Sequence, residues 1–277
     1  MKISKNDLKN LIRRALKEET QKKQLNEVAI EAKVKGIDSV YDVLVSGGHI
    51  KSGDTLLLID GQKQVFYLKK GSKDVTLKGK VSTAAKGFGN QLDSAQTPTG
   101  LMKVVGFGGK GAKTGTVLVG LQPTDLIVGP NQTSPRARQG HAAEVLTRAV
   151  VLAGLEEHNK NVKSRNIYVH GTNRENQLGQ QASGGCVRVS SAHAIDLADR
   201  LMKVGDYVYI YTGVSITGES RQPDQTISGK QRLKSLLEQD QTATTGSEEK
   251  EYLVGGKPAT EEEAFQVISK YPKEPNA

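Results

Sequence analysis

Alternation of apolar and polar residues dominates the middle of the chain, and helical spacing is confined to a few stretches. Residues 5–19 place Leu8, Leu11, Ile12, Ala15 and Leu16 on one stripe behind Ser4, which predicts an amphipathic helix. A helix this short is marginal alone in water, so it is expected to dock on its own domain or on a partner. Residues 21–36 read as a connector and 37–46 as a strand. A hairpin follows, with strands at 55–60 and 64–69 around Gly61-Gln62, then a third strand at 75–83. Residues 86–100 form a polar loop of the kind that rims a site. Residues 106–115 hold five glycines, which predicts a lid or hairpin.

Further on, Val145, Leu146, Ala149, Leu152 and Ala153 predict a helix over 141–156. Residues 165–170 predict a short strand with Ile167 and Val169 facing one way and Tyr168 the other. Ser191 is expected to cap a helix at 192–202, and Gly205-Asp206 to turn into a strand at 207–211. Beyond Gly213 the composition turns to Ser, Thr, Gln, Glu and Gly. Helices are predicted there only at 230–238 and 260–269, the second opened by a Thr-x-x-Glu capping box.

Composition narrows the class. The 277 residues are 36% hydrophobic, with 30 glycines and no tryptophan, which fits one turn-rich, mainly β domain with polar extensions. The net charge is +9, but residues 1–35 carry ten Lys and Arg against five Asp and Glu, so +5 of it sits in the N-terminal arm. The central region is only mildly basic, and nucleic acid is not an expected partner. No membrane span is expected. The first thirty residues are charged throughout, with Leu11-Ile12 as their longest apolar run, so no secretion signal is expected in them.

The chemistry centres on residues 170–188. Cys186 is the only cysteine, and His170 lies sixteen positions before it. A thiol attacks as the thiolate, so it needs a base or cation beside it, and His170 is the candidate base. Ser183-Gly184-Gly185 permits a sharp turn that would aim the Gly185 and Cys186 N–H groups at one point as an oxyanion hole. Residues 187–189 are expected to run beside the 165–170 strand and bring Arg188, a carboxylate or carbonyl binder, near the thiol. A lone cysteine is more often a small buried hydrophobe. Ser-Gly-Gly and Arg188 are poor core neighbours, which favours the nucleophile.

Other candidates carry less. Ser183 lacks a Gly-x-Ser-x-Gly elbow and is expected to orient the loop or the substrate. Thr172 and Asn173 are expected to touch substrate, and Tyr168 to pack. His49, His141, His158 and His193 fall in turns or at helix ends, with His193 expected to face solvent. No two ligands have zinc-motif spacing, so no metal or cofactor is expected. The glycine-rich stretch lacks the Gly-Lys-Ser/Thr ending and following helix of a phosphate loop. Papain-like and caspase-like cysteine signatures are absent.

His170-Gly171-Thr172 followed by Ser183-x-Gly185-Cys186-Val187-Arg188 resembles the signature of the L,D-transpeptidases, cysteine enzymes that remodel peptidoglycan. Residues 56–69, 79–84, 97–100, 154–156 and 161–172 resemble other segments of that domain in the same order. The resemblance spans residues 53 to 213. It implies a curled β-sandwich with two helices packed outside, and a division into an N-terminal extension at 1–50, a catalytic domain at 51–213 and a C-terminal extension at 214–277. It implies Cys186, His170 and Gly185 as catalytic residues, with Arg188, Ser183, Thr172, Gly171 and Gly184 around the substrate. The implied donor is a stem tetrapeptide, attacked at the L centre of meso-diaminopimelate with D-alanine leaving. A second stem peptide as acceptor gives a 3-3 cross-link, and water gives L,D-carboxypeptidase action. Many members carry a second histidine where this chain has Gly184, a departure that bears on tuning rather than on the nucleophile.

The opening Met-Lys-Ile-Ser-Lys resembles short N-terminal helices on proteins of large tailed bacteriophages. A substrate in the periplasm or at the cell surface, combined with a basic arm and no signal, leads to the expectation of delivery by a non-Sec route, within a phage particle or injection machine. The alternative is a virion structural or wall-binding protein with weak or lost catalysis.

Overall fold

The computed structural model describes residues 37–71, 75–133, 135, 144–212 and 252–270. The helices expected at 5–19 and 230–238, the connector at 21–36 and His141 lie outside the described residues. Among the described residues twelve strands form one sheet: β1 Thr55–Asp60, β2 Val65–Lys70, β3 Val75–Lys80, β4 Gly100–Gly108, β5 Thr116–Val119, β6 Gln122–Ile127, β7 Leu146–Gly154, β8 Tyr168–Gly171, β9 Val187–Val189, β10 Tyr207–Tyr211, β11 Tyr252–Val254 and β12 Lys257–Ala259. Among the described residues three α-helices join them, α1 Ile37–Ser46, α2 Ser191–Ile195, which runs on into a π turn at Asp196–Leu201, and α3 Glu261–Ile268. The main path runs β12-β11-β6-β5-β7-β4-β10-β1-β2-β3, and β8 leaves it from β7 to carry β9. Among the described residues no helix is long and apolar enough to cross a membrane.

β1 reads Thr-Leu-Leu-Leu-Ile-Asp and is buried along its whole length, because both of its faces are covered. Leu57 and Ile59 enter the main core with Val104, Leu152, Val169, Val187 and Leu197. Leu56 and Leu58 face the other way, under Val40, Tyr41 and Leu44 of α1. Those three α1 residues stand at helical spacing, and covering β1 decides their conformation in favour of a helix. Residues 37–46, expected as a strand, are therefore a helix.

The larger correction is β7. Residues 146–154 were expected inside a helix and form the strand between β4 and β5 that also pairs with β8. Its apolar residues point to both faces, Val150 and Leu152 into the main core and Ala149 into the cluster that holds Tyr168 and Cys186. A strand buried on both faces is a near-continuous apolar run, which matches a helical template as readily as an alternating one. One of the two helices expected to pack outside the sheet is thus part of it, and the mainly β class stands.

Insertion of β7 also separates β4 from β5, so residues 106–115 are not a hairpin. Residues 106–108 finish β4 and the rest cross to β5. Arg148 fastens that crossing, donating from Nη1 to Ala112 O at 3.0 Å and from Nε to Asp199 Oδ1 at 2.9 Å. Gly115 N–H adds a bond to Thr147 Oγ1 at 2.9 Å. A stretch held at these points is a strap between elements rather than a lid.

Smaller differences concern ends. The third strand stops at Lys80, and residues 82–85 bond instead to the 182–188 segment. Ser190, not Ser191, caps α2, accepting the His193 N–H. The polar tail contributes β11 and β12, which extend the sheet from β6, and α3 opens on the expected Thr260/Glu263 capping box.

Candidate active site

β8 and β9 run parallel with Val169 opposite Val187, His170 opposite Arg188 and Gly171 opposite Val189. Val169, Val187 and Val189 belong to the main core, so alternation turns Tyr168, His170, Cys186 and Arg188 to the other face. One step back along the register sets Cys186 beside Tyr168. His170 is then one diagonal step from Cys186, about 8 Å between Cα atoms from strand spacing and rise. The sixteen-residue excursion in sequence closes into one patch of side chains.

The sulfur is seated on the backbone of β8. Tyr168 N–H donates to Cys186 Sγ at 3.3 Å, and the thiol donates to Asn166 O at 3.3 Å. Asn166 presents that carbonyl from a left-handed conformation with φ +53°, which asparagine tolerates better than most residues. The Tyr168 hydroxyl closes the turn by donating to Asn166 Oδ1 at 3.0 Å.

His170 is 4% exposed, and its Nδ1 lies 2.8 Å from the carbonyl oxygen of Gly171. A carbonyl only accepts, so Nδ1 carries the proton and Nε2 keeps its lone pair. Burial lowers the His170 pKa to about 4; the Gly171 bond opposes that shift and the nearby Arg188 charge adds to it. At neutral pH the imidazole is therefore neutral, with a defined tautomer.

Two guanidinium groups reach the sulfur electrostatically. Arg188 is 8% exposed and donates from Nη1 to Gln177 Oε1 at 3.1 Å and Ala182 O at 3.2 Å. Burial brings its pKa down to about 10, opposed by the charge interaction with Cys186 and assisted by Arg174, so it remains a cation at neutral pH. Arg165 is also buried and lowered by desolvation, with Cys186 and Asp93 pulling the other way. Its Nη1 donates to Gly89 O at 3.0 Å and its Nη2 to Gln96 O.

The turn before the cysteine is fixed by two hydroxyls. Ser183 Oγ donates to Cys186 O at 2.6 Å and accepts the Gly185 N–H at 3.2 Å. Both bonds engage Ser183 in holding the loop. In the resting structure the Gly185 N–H, expected in an oxyanion hole, is engaged by this serine. Thr97 Oγ1 donates to Gly185 O at 2.8 Å. Gly184 is exposed, with nothing within 4 Å of where a Cβ would stand, and forms the open lip of the site.

Three residues expected at the substrate are enclosed instead. Thr172 is fully buried and its Oγ1 accepts the Arg174 N–H at 3.1 Å. Gly171 is buried where a Cβ would stand 2.7 Å from Leu146 O, so glycine is there for close packing of β7. Asn173, fully buried, donates to Gln132 O at 2.8 Å and accepts the Glu144 N–H at 2.9 Å, tying two segments together.

Sequence reasoning missed Thr97, Arg165 and Asn166 as site residues. Thr97 stood in a motif segment without a role, and Arg165 only opened the strand expected at 165–170. Of the other histidines, His193 is half-buried, its ring edge-on to Phe66 at 5.2 Å rather than facing solvent. His158 sits against Glu156 and Thr99 O. Among the described residues no group of three or more His, Cys, Asp or Glu is arranged to hold a metal.

A family model for the L,D-transpeptidase catalytic domain, YkuD, matches residues 54–210. The chain belongs to that family. Solved structures similar to this L,D-transpeptidase-family chain include an L,D-transpeptidase from Mycobacterium smegmatis, at 16% identity and TM-score 0.37 over 57% of this chain and 59% of that one. Another is the L,D-transpeptidase (residues 123–326) from Xylanimonas cellulosilytica DSM 15894, at 19% identity and TM-score 0.35 over 64% and 70%. A third is Bdellovibrio bacteriovorus Bd1075, at 13% identity and TM-score 0.35 over 57% and 48%. The chain spans 59% of the first of these structures. No curated protein matches it significantly.

Proposed function

We propose that this chain is a cysteine L,D-transpeptidase that acts on peptidoglycan stem tetrapeptides through a thioester at Cys186. The observation that carries the proposal is the placement of Cys186 and His170 on one face of two paired strands, with the imidazole held in the Nδ1–H tautomer by Gly171 O.

The resting pair is a thiol and a neutral imidazole. Once the thiol turns from Asn166 O to His170, Nε2 takes the Sγ proton as sulfur attacks the carbonyl carbon of the third stem residue, diaminopimelate at its L centre. Tyr168 N–H and the charges of Arg165 and Arg188 favour the anionic sulfur. The oxyanion that forms is met by the Cys186 N–H, and by the Gly185 N–H once it exchanges Ser183 Oγ for the new acceptor. Each such donor is typically worth about 2.7 to 4 kcal/mol. The C–N bond then breaks, the imidazolium passes its proton to the amine of D-alanine, and the thioester remains.

In the second half Nε2 deprotonates the acceptor, which attacks the thioester; the sulfur leaves and regains its proton. An amine of a second stem gives a 3-3 cross-link, and water gives the tripeptide. Arg188 offers its guanidinium edge to a substrate carboxylate. The place of action is the cell wall, in the periplasm or at the surface.

Incubation with a disaccharide tetrapeptide, followed by assay of free D-alanine and chromatography of the muropeptides, tests this. Wild type is expected to release D-alanine and Cys186→Ala to release none, with 3-3 dimers or tripeptides reporting the acceptor. Absence of release by folded wild type would favour a wall-binding or virion role without catalysis.

A further inference from the structure

Gly185 is held at φ +140°, a conformation that L side chains rarely adopt and glycine enters freely. That freedom leaves the flanking peptides easy to rotate, so another group has to fix them. The peptide between Gly185 and Cys186 is planar and trans, and its C=O and N–H point in opposite directions. Whatever holds the Gly185 carbonyl therefore aims the Cys186 N–H.

Thr97 holds it, donating from Oγ1 to Gly185 O at 2.8 Å across 88 positions of sequence. The same oxygen accepts the Ala84 N–H at 2.8 Å, which orients the hydroxyl so that its proton goes to the carbonyl. Thr97 is fully buried, and its backbone is tied on both sides, N–H to Gly87 O at 3.0 Å and C=O to Gly89 N–H at 2.9 Å. Behind it Arg165 grips the loop at Gly89 O and Gln96 O. Gln96 O lies 3.6 Å from where a Cβ on Gly185 would stand, so loop and turn are in contact.

We propose that Thr97 is a positioning residue that locks the Gly185–Cys186 peptide with the Cys186 N–H turned to the developing oxyanion, and that Arg165 braces the loop that carries it. This rests on acyl transfer at Cys186 as proposed above. The lock acts on the acyl oxygen and leaves the nucleophilicity of the sulfur alone. It therefore affects acylation by an amide, which needs an oxyanion donor, and spares alkylation by iodoacetamide, which does not.

The test compares wild type, Thr97→Val, which keeps the shape and loses the hydroxyl, and Thr97→Ser, which keeps the hydroxyl. Each is assayed for adduct formation with disaccharide tetrapeptide by intact mass and for alkylation of Cys186 by iodoacetamide. Thr97→Val is expected to acylate about 100-fold more slowly, the usual loss for one oxyanion donor, with alkylation within about twofold of wild type. Thr97→Ser is expected to recover both rates. Unchanged acylation in Thr97→Val overturns the lock, and so does a parallel fall in alkylation, which would make Thr97 a general support for the sulfur. Should Thr97→Val show no cooperative thermal transition, Thr97→Ala carries the same comparison. If wild type alkylates but forms no adduct, the acyl-transfer assignment fails and the lock falls with it; a wild-type adduct with unchanged Thr97→Val sinks the lock alone.

Discussion

His170 stands directly opposite Arg188 in the parallel pairing of β8 and β9, so a buried imidazole and a buried cation share one face and one level of the sheet. The arrangement keeps the imidazole neutral, because a second positive charge in that enclosed space is opposed by burial and by the guanidinium. The acid limb of kcat/KM is therefore expected near pH 4 rather than near 6.5. A pH–rate profile checks this.

The same shift links His170 to stability. Its folded pKa of about 4 lies below the ordinary 6.5, so between those values the unfolded chain binds a proton that the folded one refuses. The stabilisation is complete above about pH 6.5 and is lost as pH falls towards 4. Urea unfolding at pH 7 and 4.5 is expected to show wild type losing about 2 to 3 kcal/mol more than His170→Gln.

Arg188 is expected to hold the thiol of Cys186 towards its anionic form. Arg188→Gln removes that charge and should raise the pH midpoint of iodoacetamide alkylation by about one unit or more, the usual scale for an adjacent cation. An unchanged midpoint would assign Arg188 to loop bonding with Gln177 and Ala182 alone.

Neighbouring glycines of the turn should respond in opposite ways. Gly184 has open space and no left-handed φ, so Gly184→His should leave the melting temperature nearly unchanged. At Gly185 the positive φ and an Ile167 Cδ1 3.3 Å from the added carbon make Gly185→Ala costly, by about 1 to 3 kcal/mol. Thermal melts of the two variants decide it.

Tyr252 lies outside the residues matched by the family model, yet it is fully buried among Val117, Leu126 and Leu146 and donates to Thr133 O at 3.0 Å. Tyr252→Ala is expected to cost about 3 to 5 kcal/mol in denaturant unfolding, as for other large core truncations. Little or no loss would make the C-terminal strands an ornament on the domain.

Legibility in the sequence followed how local the determining physics was. The β1–β2 hairpin was readable from the Gly61-Gln62 turn between two short runs, β8 and β10 from alternation, and α3 because its capping box is local. β7 was not readable, since a strand buried on both faces has no polar face to reveal its period. α1 was misread because its helical spacing is carried by Val and Tyr, residues common in strands, and only the face of β1 beneath it decides. The Gly255-Gly256 turn could have marked the hairpin of β11 and β12 inside the polar tail. At the candidate site, the nearness of Cys186, His170 and Arg188 on paired strands was legible from spacing. Thr97 and Arg165 were not, because their partners lie 88 and 69 positions away.

The most direct measurement is the intact mass of wild type and Cys186→Ala after incubation with a disaccharide tetrapeptide. Wild type should gain the mass of the donor less D-alanine, mapped by peptide digestion to Cys186, while the variant gains nothing. A folded wild type that stays unmodified and releases no D-alanine, or an adduct that persists in Cys186→Ala, would contradict the assignment of Cys186 as the nucleophile.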